Sequence, residues 1–185
     1  TINYLNIPAV EIGLKHIAGI GIETIHNRVM ALAGWLLEQL MSLRHSNGMP
    51  VIRLYGPVET EGRGATVTVN FFDPNGQDFD FRLVEAEANT HNISLRTGCF
   101  CNPGAGEVVN NLTAVDMREC FINEERMTFE QFLMVMDGKA TGAVRISLGV
   151  VSNFADVYRF MAFAETFIDR AATAPDAALL QAKRH

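Results

Sequence analysis

Apolar residues recur at helical spacing over two stretches near the start of the chain. Ala9 to Ile17 repeats in this way, Pro8 suits a helix first turn, and Gly19 with Gly21 is expected to break the pattern. A longer helix is predicted from about Ile22 to Leu43, where Ile25, Val29, Leu32, Leu36, Leu40 and Leu43 form one stripe before the polar stop His45-Ser46-Asn47-Gly48. The period then changes to two. Val51 to Tyr55 and Ala65 to Phe72 read as strands, and the alternation Thr66-Val67-Thr68-Val69 predicts a sheet with one covered face. Asp73-Pro74-Asn75-Gly76 is turn chemistry. A helix is expected over Phe79 to His91 and a short strand over Ile93 to Arg96, followed by an irregular stretch from Thr97 to Gly104. Short helices follow from Glu107 to Met136, with Thr128 and Gln131 spaced as a capping box. After the turn Asp137-Gly138-Lys139, a strand over Ala143 to Leu148 precedes a final helix over Asn153 to Ala172, with Asp156 in its first turn. The tail from Thr173 to His185 is Ala-rich. This order predicts an α/β chain of α+β character: a small antiparallel or mixed sheet with helices on one face. Two helices before any strand, at an abrupt start, suggest a piece of a longer protein.

Composition narrows the function classes. The chain has 185 residues, 48% of them hydrophobic and 19% charged, which supplies a core and excludes global disorder. Its net charge of −6, with only the lysines Lys15, Lys139 and Lys183, argues against a nucleic-acid partner or an anionic membrane. No apolar run reaches the roughly 18 residues of a membrane span. An odd number of cysteines, three, with two in a tight Cys-x-Cys, disfavours a disulfide scaffold and points to free thiols in a reducing cytoplasm.

The chemistry concentrates in two places. Arg96-Thr97-Gly98-Cys99-Phe100-Cys101-Asn102-Pro103-Gly104-Ala105 puts thiols on a Gly/Pro-rich loop just past a strand, with Arg96 near enough to favour a thiolate. Two plainer readings stay open: both thiols are small core hydrophobes, or Cys99, Cys101, Cys120 and a histidine hold zinc, although Cys-x-Cys is tighter than the usual zinc spacing. The second place is Ala143-Val144-Arg145-Ile146-Ser147-Leu148-Gly149. A lone arginine in an apolar strand needs an internal acid or a bound carboxylate or phosphate, since an unpaired buried guanidinium is costly. The five histidines show no metal-ligand spacing.

Three segments together resemble the class V aminotransferases of fold-type I pyridoxal phosphate (PLP) enzymes, especially cysteine desulfurases and the desulfurase part of molybdenum cofactor sulfurases. They are Thr1 to Ala9, the Leu95 to Ala105 loop, and Asp137 to Gly149. The Cys-Phe-Cys-Asn loop and the roughly forty residues inserted before the arginine strand favour the sulfurases. The resemblance implies the C-terminal domain of a fold-type I PLP-dependent transferase. Residues 1–48 would end the large domain and form the linking helix, 49–172 the small domain, and 173–185 a tail. It implies that Cys101 is the nucleophile that takes sulfur from L-cysteine as a persulfide and leaves alanine, with Cys99 a possible second thiol. Arg145, with Arg96 near it, would hold the substrate carboxylate. Thr1 would reach the PLP phosphate of a neighbouring subunit in a homodimer, and a protein or cofactor would accept the sulfur. The lysine that anchors PLP lies upstream in that family, and Lys15, Lys139 and Lys183 do not match its setting. Alternatives are a class V enzyme with no thiol nucleophile (kynureninase-like or epimerase-like) and a non-enzymatic sulfur-carrier or interaction domain.

Overall fold

The computed structural model describes residues 4–98, 100 and 142–172. A 3-10 turn, Tyr4–Asn6, leads into α1 (Ile7–Ile20), with Pro8 in its first turn. The helix runs through Gly19 and stops only at Gly21, whose φ of 93° is cheap for glycine and strained for other residues. α2 (Ile22–Ser42) follows at once. Its stripe is buried as expected at Val29, Leu32, Leu36 and Leu40, and Ala33 and Leu37 widen it.

Next come β1 (Ile52–Tyr55), β2 (Thr66–Phe71), α3 (Phe81–Thr90), β3 (Arg96–Gly98), β4 (Ala143–Ser147) and α4 (Phe154–Glu165). The strands form one sheet in the order β1-β2-β4-β3, and every pairing is antiparallel. One core joins α2, the sheet, α3 and α4: Leu36, Leu40, Val67, Val69, Phe71, Val84, Val144, Val157 and Phe163 all lie in it. Phe71 meets Phe163 and Phe167 at centroid distances of 6.3 and 4.6 Å. Among the described residues α2, α3 and α4 thus lie on one face, and the sheet is antiparallel rather than mixed.

Two expected elements are displaced. The strand predicted over Ile93 to Arg96 lies at Arg96–Gly98 instead. The Ile93 N–H is bound to the Ala88 carbonyl at the end of α3, so the chain is still closing that helix where periodicity suggested a strand. The last helix ends at Glu165, not Ala172. Thr166, Phe167 and Ile168 each donate three residues back, and Asp169 turns the chain with φ 57°. Asn153 and Asp156 form a reciprocal capping box at its start.

The turn after α4 is tied to the turn after β2. His45, 3% exposed, contacts the Phe72 carbonyl through Nε2 at 3.0 Å, and its Nδ1 accepts the Asp169 N–H at 2.9 Å. Asp73, 2% exposed, accepts the N–H groups of Asn75 and Gln77 on Oδ1 (2.8 and 2.9 Å) and of Ala172 on Oδ2 (3.2 Å). Burial pushes this carboxyl upward, but the backbone donors outweigh it and hold it below the usual carboxylate range. A carboxyl whose pKa is depressed on folding stabilises the fold above its unfolded pKa, and that stability is lost as pH falls through the folded value. Melting temperature should therefore drop on acidification below about pH 5, and less steeply in Asp73→Asn. At neutral pH the same substitution should cost about 1–3 kcal/mol in denaturant unfolding.

Candidate active site

Strand alternation sorts the sheet into two faces. Ile52, Leu54, Val67, Val69, Phe71, Val144, Ile146 and Thr97 share the helix-covered face. Thr97 donates to Glu85 Oε2 of α3 at 2.6 Å, as its place on that face requires. The opposite face carries Arg53, Tyr55, Thr66, Thr68, Asn70, Ala143, Arg145, Ser147, Arg96 and Gly98. One row crosses all four strands: Tyr55 opposite Thr68, Thr68 opposite Arg145, and Arg145 opposite Arg96. The two arginines predicted to bind substrate are thus brought side by side, on the face opposite the helices α2, α3 and α4.

Like charges directly opposite repel, so this pairing needs an anion or solvent between them. Arg96 is exposed and Arg145 partly buried. Among the described residues neither makes an ion pair, which leaves the internal salt bridge expected of a structural Arg145 without a partner there. Arg145 Nε is buried and has no hydrogen-bond partner among those residues. Its guanidinium lies 5.2 Å from the centroid of the Phe100 ring. Two backbone positions flank this contact in left-handed conformations, Gly98 at φ 101° and Phe100 at φ 54°.

Farther along the same face, Arg53 stacks 4.6 Å over the Phe72 ring. Burial raises the pKa of Tyr55, which Arg53 partly offsets, and burial likewise raises Asp78 against the pull of Arg53. The face is therefore cationic, with arginines at three of its positions and Asp78 turned to Arg53.

Cys99, Cys101 and Thr1 lie outside the described residues, as do Cys120 of the zinc alternative, Lys139, Lys183, the helices expected over 107–136 and the tail 173–185. The described residues do not form a cradle for PLP. Lys15, the lysine among them, is exposed on α1 and pairs with Glu11 at 2.6 Å. What they do form is a cationic surface that includes Arg96 and Arg145 beside the Phe100 ring. Sequence reasoning missed Asn70, Tyr55, Arg53 and the stacking of Phe100. Asn70 continues the alternation of Thr66 and Thr68, so the pattern does not single it out; its burial does.

The architecture resembles part of a fold-type I enzyme. It superposes on the apo structure of a cysteine desulfurase from Thermococcus onnurineus with a TM-score of 0.52 at 19% identity, over 84% of this chain and 29% of that one. The aminotransferase class-V family model matches residues 1–160, and the chain belongs to that family. It is 35% identical over 173 residues to the molybdenum cofactor sulfurase of Solanum lycopersicum, covering 90% of this chain and 20% of that protein. The human molybdenum cofactor sulfurase is 33% identical, over 88% of this chain and 19% of its own length. The chain thus spans about a fifth of the length of the curated relatives it matches.

One close backbone approach holds the end of β3 against the start of the arginine strand. A Cβ on Gly142 would stand 2.7 Å from Phe81 Cε1 and 2.9 Å from Gly98 Cα, so β4 can approach β3 this closely only with glycine there. Gly142→Ala should cost about 1–3 kcal/mol in denaturant unfolding. It should also shift the amide resonances of Arg96 to Gly98 far more than those of β1.

Proposed function

We propose that this chain supplies the substrate-holding and sulfur-accepting part of a PLP-dependent, cysteine desulfurase-like enzyme. The observation that carries the reading is Arg145: partly buried, without an acid among the described residues, and stacked on Phe100 of the cysteine loop. A guanidinium so placed can bind a carboxylate through two parallel N–H donors, which fixes the direction of the rest of the molecule. Arg96, directly opposite in the register, adds a second cation to the same anion. Both arginines favour a thiolate in the adjoining loop, and Cys101 is assigned as that nucleophile.

In this reading the Cys101 thiolate attacks the sulfur of L-cysteine. An S–S bond forms as the carbon–sulfur bond of the substrate breaks, and the carbon takes up a proton. L-cysteine and the Cys101 thiol thus give L-alanine and a Cys101 persulfide, with no external oxidant or reductant. Class V aminotransferases use PLP, and its chemistry when bound is that of an electron sink for bonds around the substrate α-carbon. Similarity to molybdenum cofactor sulfurases supports a molybdenum cofactor as the sulfur's destination. A cytoplasmic homodimer, with Thr1 serving the neighbouring subunit and Cys99 a bystander thiol, belongs to the same reading. The apolar row Ile7, Val10, Leu14 and Ile17 on α1 supports burial of that helix against further protein, since all four are exposed here.

The test uses the full-length protein that carries this sequence, with alanine and sulfide release from L-cysteine as readouts. Arg145→Gln should raise KM by roughly ten- to a hundred-fold. Cys101→Ala should abolish sulfide release. Sulfide release that survives without Cys101 would move the assignment to a thiol-independent class V reaction.

A further inference from the structure

β1 stands at the outer end of the sheet, with β2 on one side and no strand on the other among the described residues. The ladder fixes which of its backbone groups face outward. Phe72 donates to the Val51 carbonyl, so Arg53 and Tyr55, at the same phase of the strand, turn their N–H and C=O groups toward β2. Ile52 and Leu54 turn theirs the other way, where no hydrogen-bond partner meets them among the described residues. An open edge of this kind is a template for one more strand.

A groove of about 330 Å³ lies beside that edge. It is lined by Met41 and Arg44 from the end of α2 and just past it, by Ile52, Arg53 and Leu54, and by Val58 of the loop after β1. Met41 and Val58 are exposed although both are apolar. The two cations also have charge to offer. Arg44 donates to the neighbouring Leu43 carbonyl at 2.9 Å, and Arg53 stacks on Phe72. Neither makes an ion pair among the described residues, and Asp78, the acid that attracts Arg53, stays short of one.

The register selects the occupant. An incoming antiparallel strand would exchange backbone bonds with Ile52 and Leu54. Arg53 would then fall at the non-bonded position between them, where facing side chains come closest. The incoming residue opposite Arg53 shares its face, while the residues on either side share the face of Ile52 and Leu54. A second copy of this chain fits poorly. The self-pairing register that uses both outward residues sets Ile52 against Leu54 of the copy and Arg53 against Arg53, like charges at the closest approach. A carboxylate at that position fits instead. We propose that the free edge of β1 docks an extended segment of a partner protein by strand addition, with an acidic residue opposite Arg53 and an apolar residue on each side of it. This does not depend on the role given to Arg145.

The experiment measures binding of end-capped, fluorescently labelled peptides to the full-length protein by anisotropy. The probes are Thr-Val-Glu-Val-Thr, the same peptide with Lys in place of Glu, and the first peptide N-methylated at both valines. The wild type should bind the Glu peptide about tenfold more tightly than the Lys peptide. N-methylation, which removes the donors to the strand edge, should weaken binding by about tenfold or more. Residue-resolved hydrogen exchange should show the Ile52 and Leu54 amides open in the free protein and slowed about tenfold by the Glu peptide. Arg53→Glu should reverse the preference in favour of the Lys peptide, a result that loss of fold cannot produce. Equal binding of the Glu and Lys peptides, binding indifferent to N-methylation, or no binding at all overturns the proposal. So do Ile52 and Leu54 amides already protected in the free protein. Protection lost on dilution would assign the edge to a second copy, and protection that persists would assign it to another segment of the same chain. Should Arg53→Glu fail to fold, Arg53→Gln, which should bring the two peptides level, decides in its place.

Discussion

β4 lies between β2 and β3, and its register with both sets where Arg145 and Arg96 fall. A slip of one residue would exchange the two faces, turning Arg145 into the core and Val144 and Ile146 out to solvent. The burial of those two apolar residues, at 1% and 6% exposure, therefore does more than stabilise the sheet. It forces the guanidinium onto the other face, opposite Arg96. The Gly142–Gly98 approach then draws the end of β3 against the same strand. Core packing and the placement of Arg145 opposite Arg96 are thus two consequences of one register.

The polar face shows why a site of this kind is costly to build. It sets two arginines opposite each other and leaves a buried donor and a buried acceptor without partners among the described residues. It also holds Phe100 in a left-handed conformation that aromatic residues seldom adopt. Local rules of sheet design are broken at each of these points, while the opposite face obeys them throughout. Such a division is expected where a rigid, well-packed half supports a functional one. The Asp73 and His45 contacts add to that rigid half by fixing the chain after α4 to the turn after β2.

Much of this was legible in the sequence, for physical reasons that can be named. The stripe from Val29 to Leu40 and the alternation over Thr66 to Val69 are direct imprints of a helix and a half-covered strand, and both lie where the periodicity set them. Arg145 stood out because a charge interrupts an apolar run. The displaced strand at Arg96–Gly98 and the early end of α4 were not legible, because each depends on a hydrogen bond that periodicity does not encode. Asn70 was invisible for a different reason. A polar residue at an outward position looks ordinary until the fold shows it to be buried.

The central claim is that Arg145 receives a carboxylate on this face. The most direct measurement follows the side-chain Nε–H resonance of Arg145 in arginine-labelled, cofactor-free full-length protein as L-cysteine is added. The account predicts that this resonance shifts and becomes protected from solvent exchange, while that of Arg44, at the end of α2, stays in place. A resonance unmoved at saturating L-cysteine would contradict it.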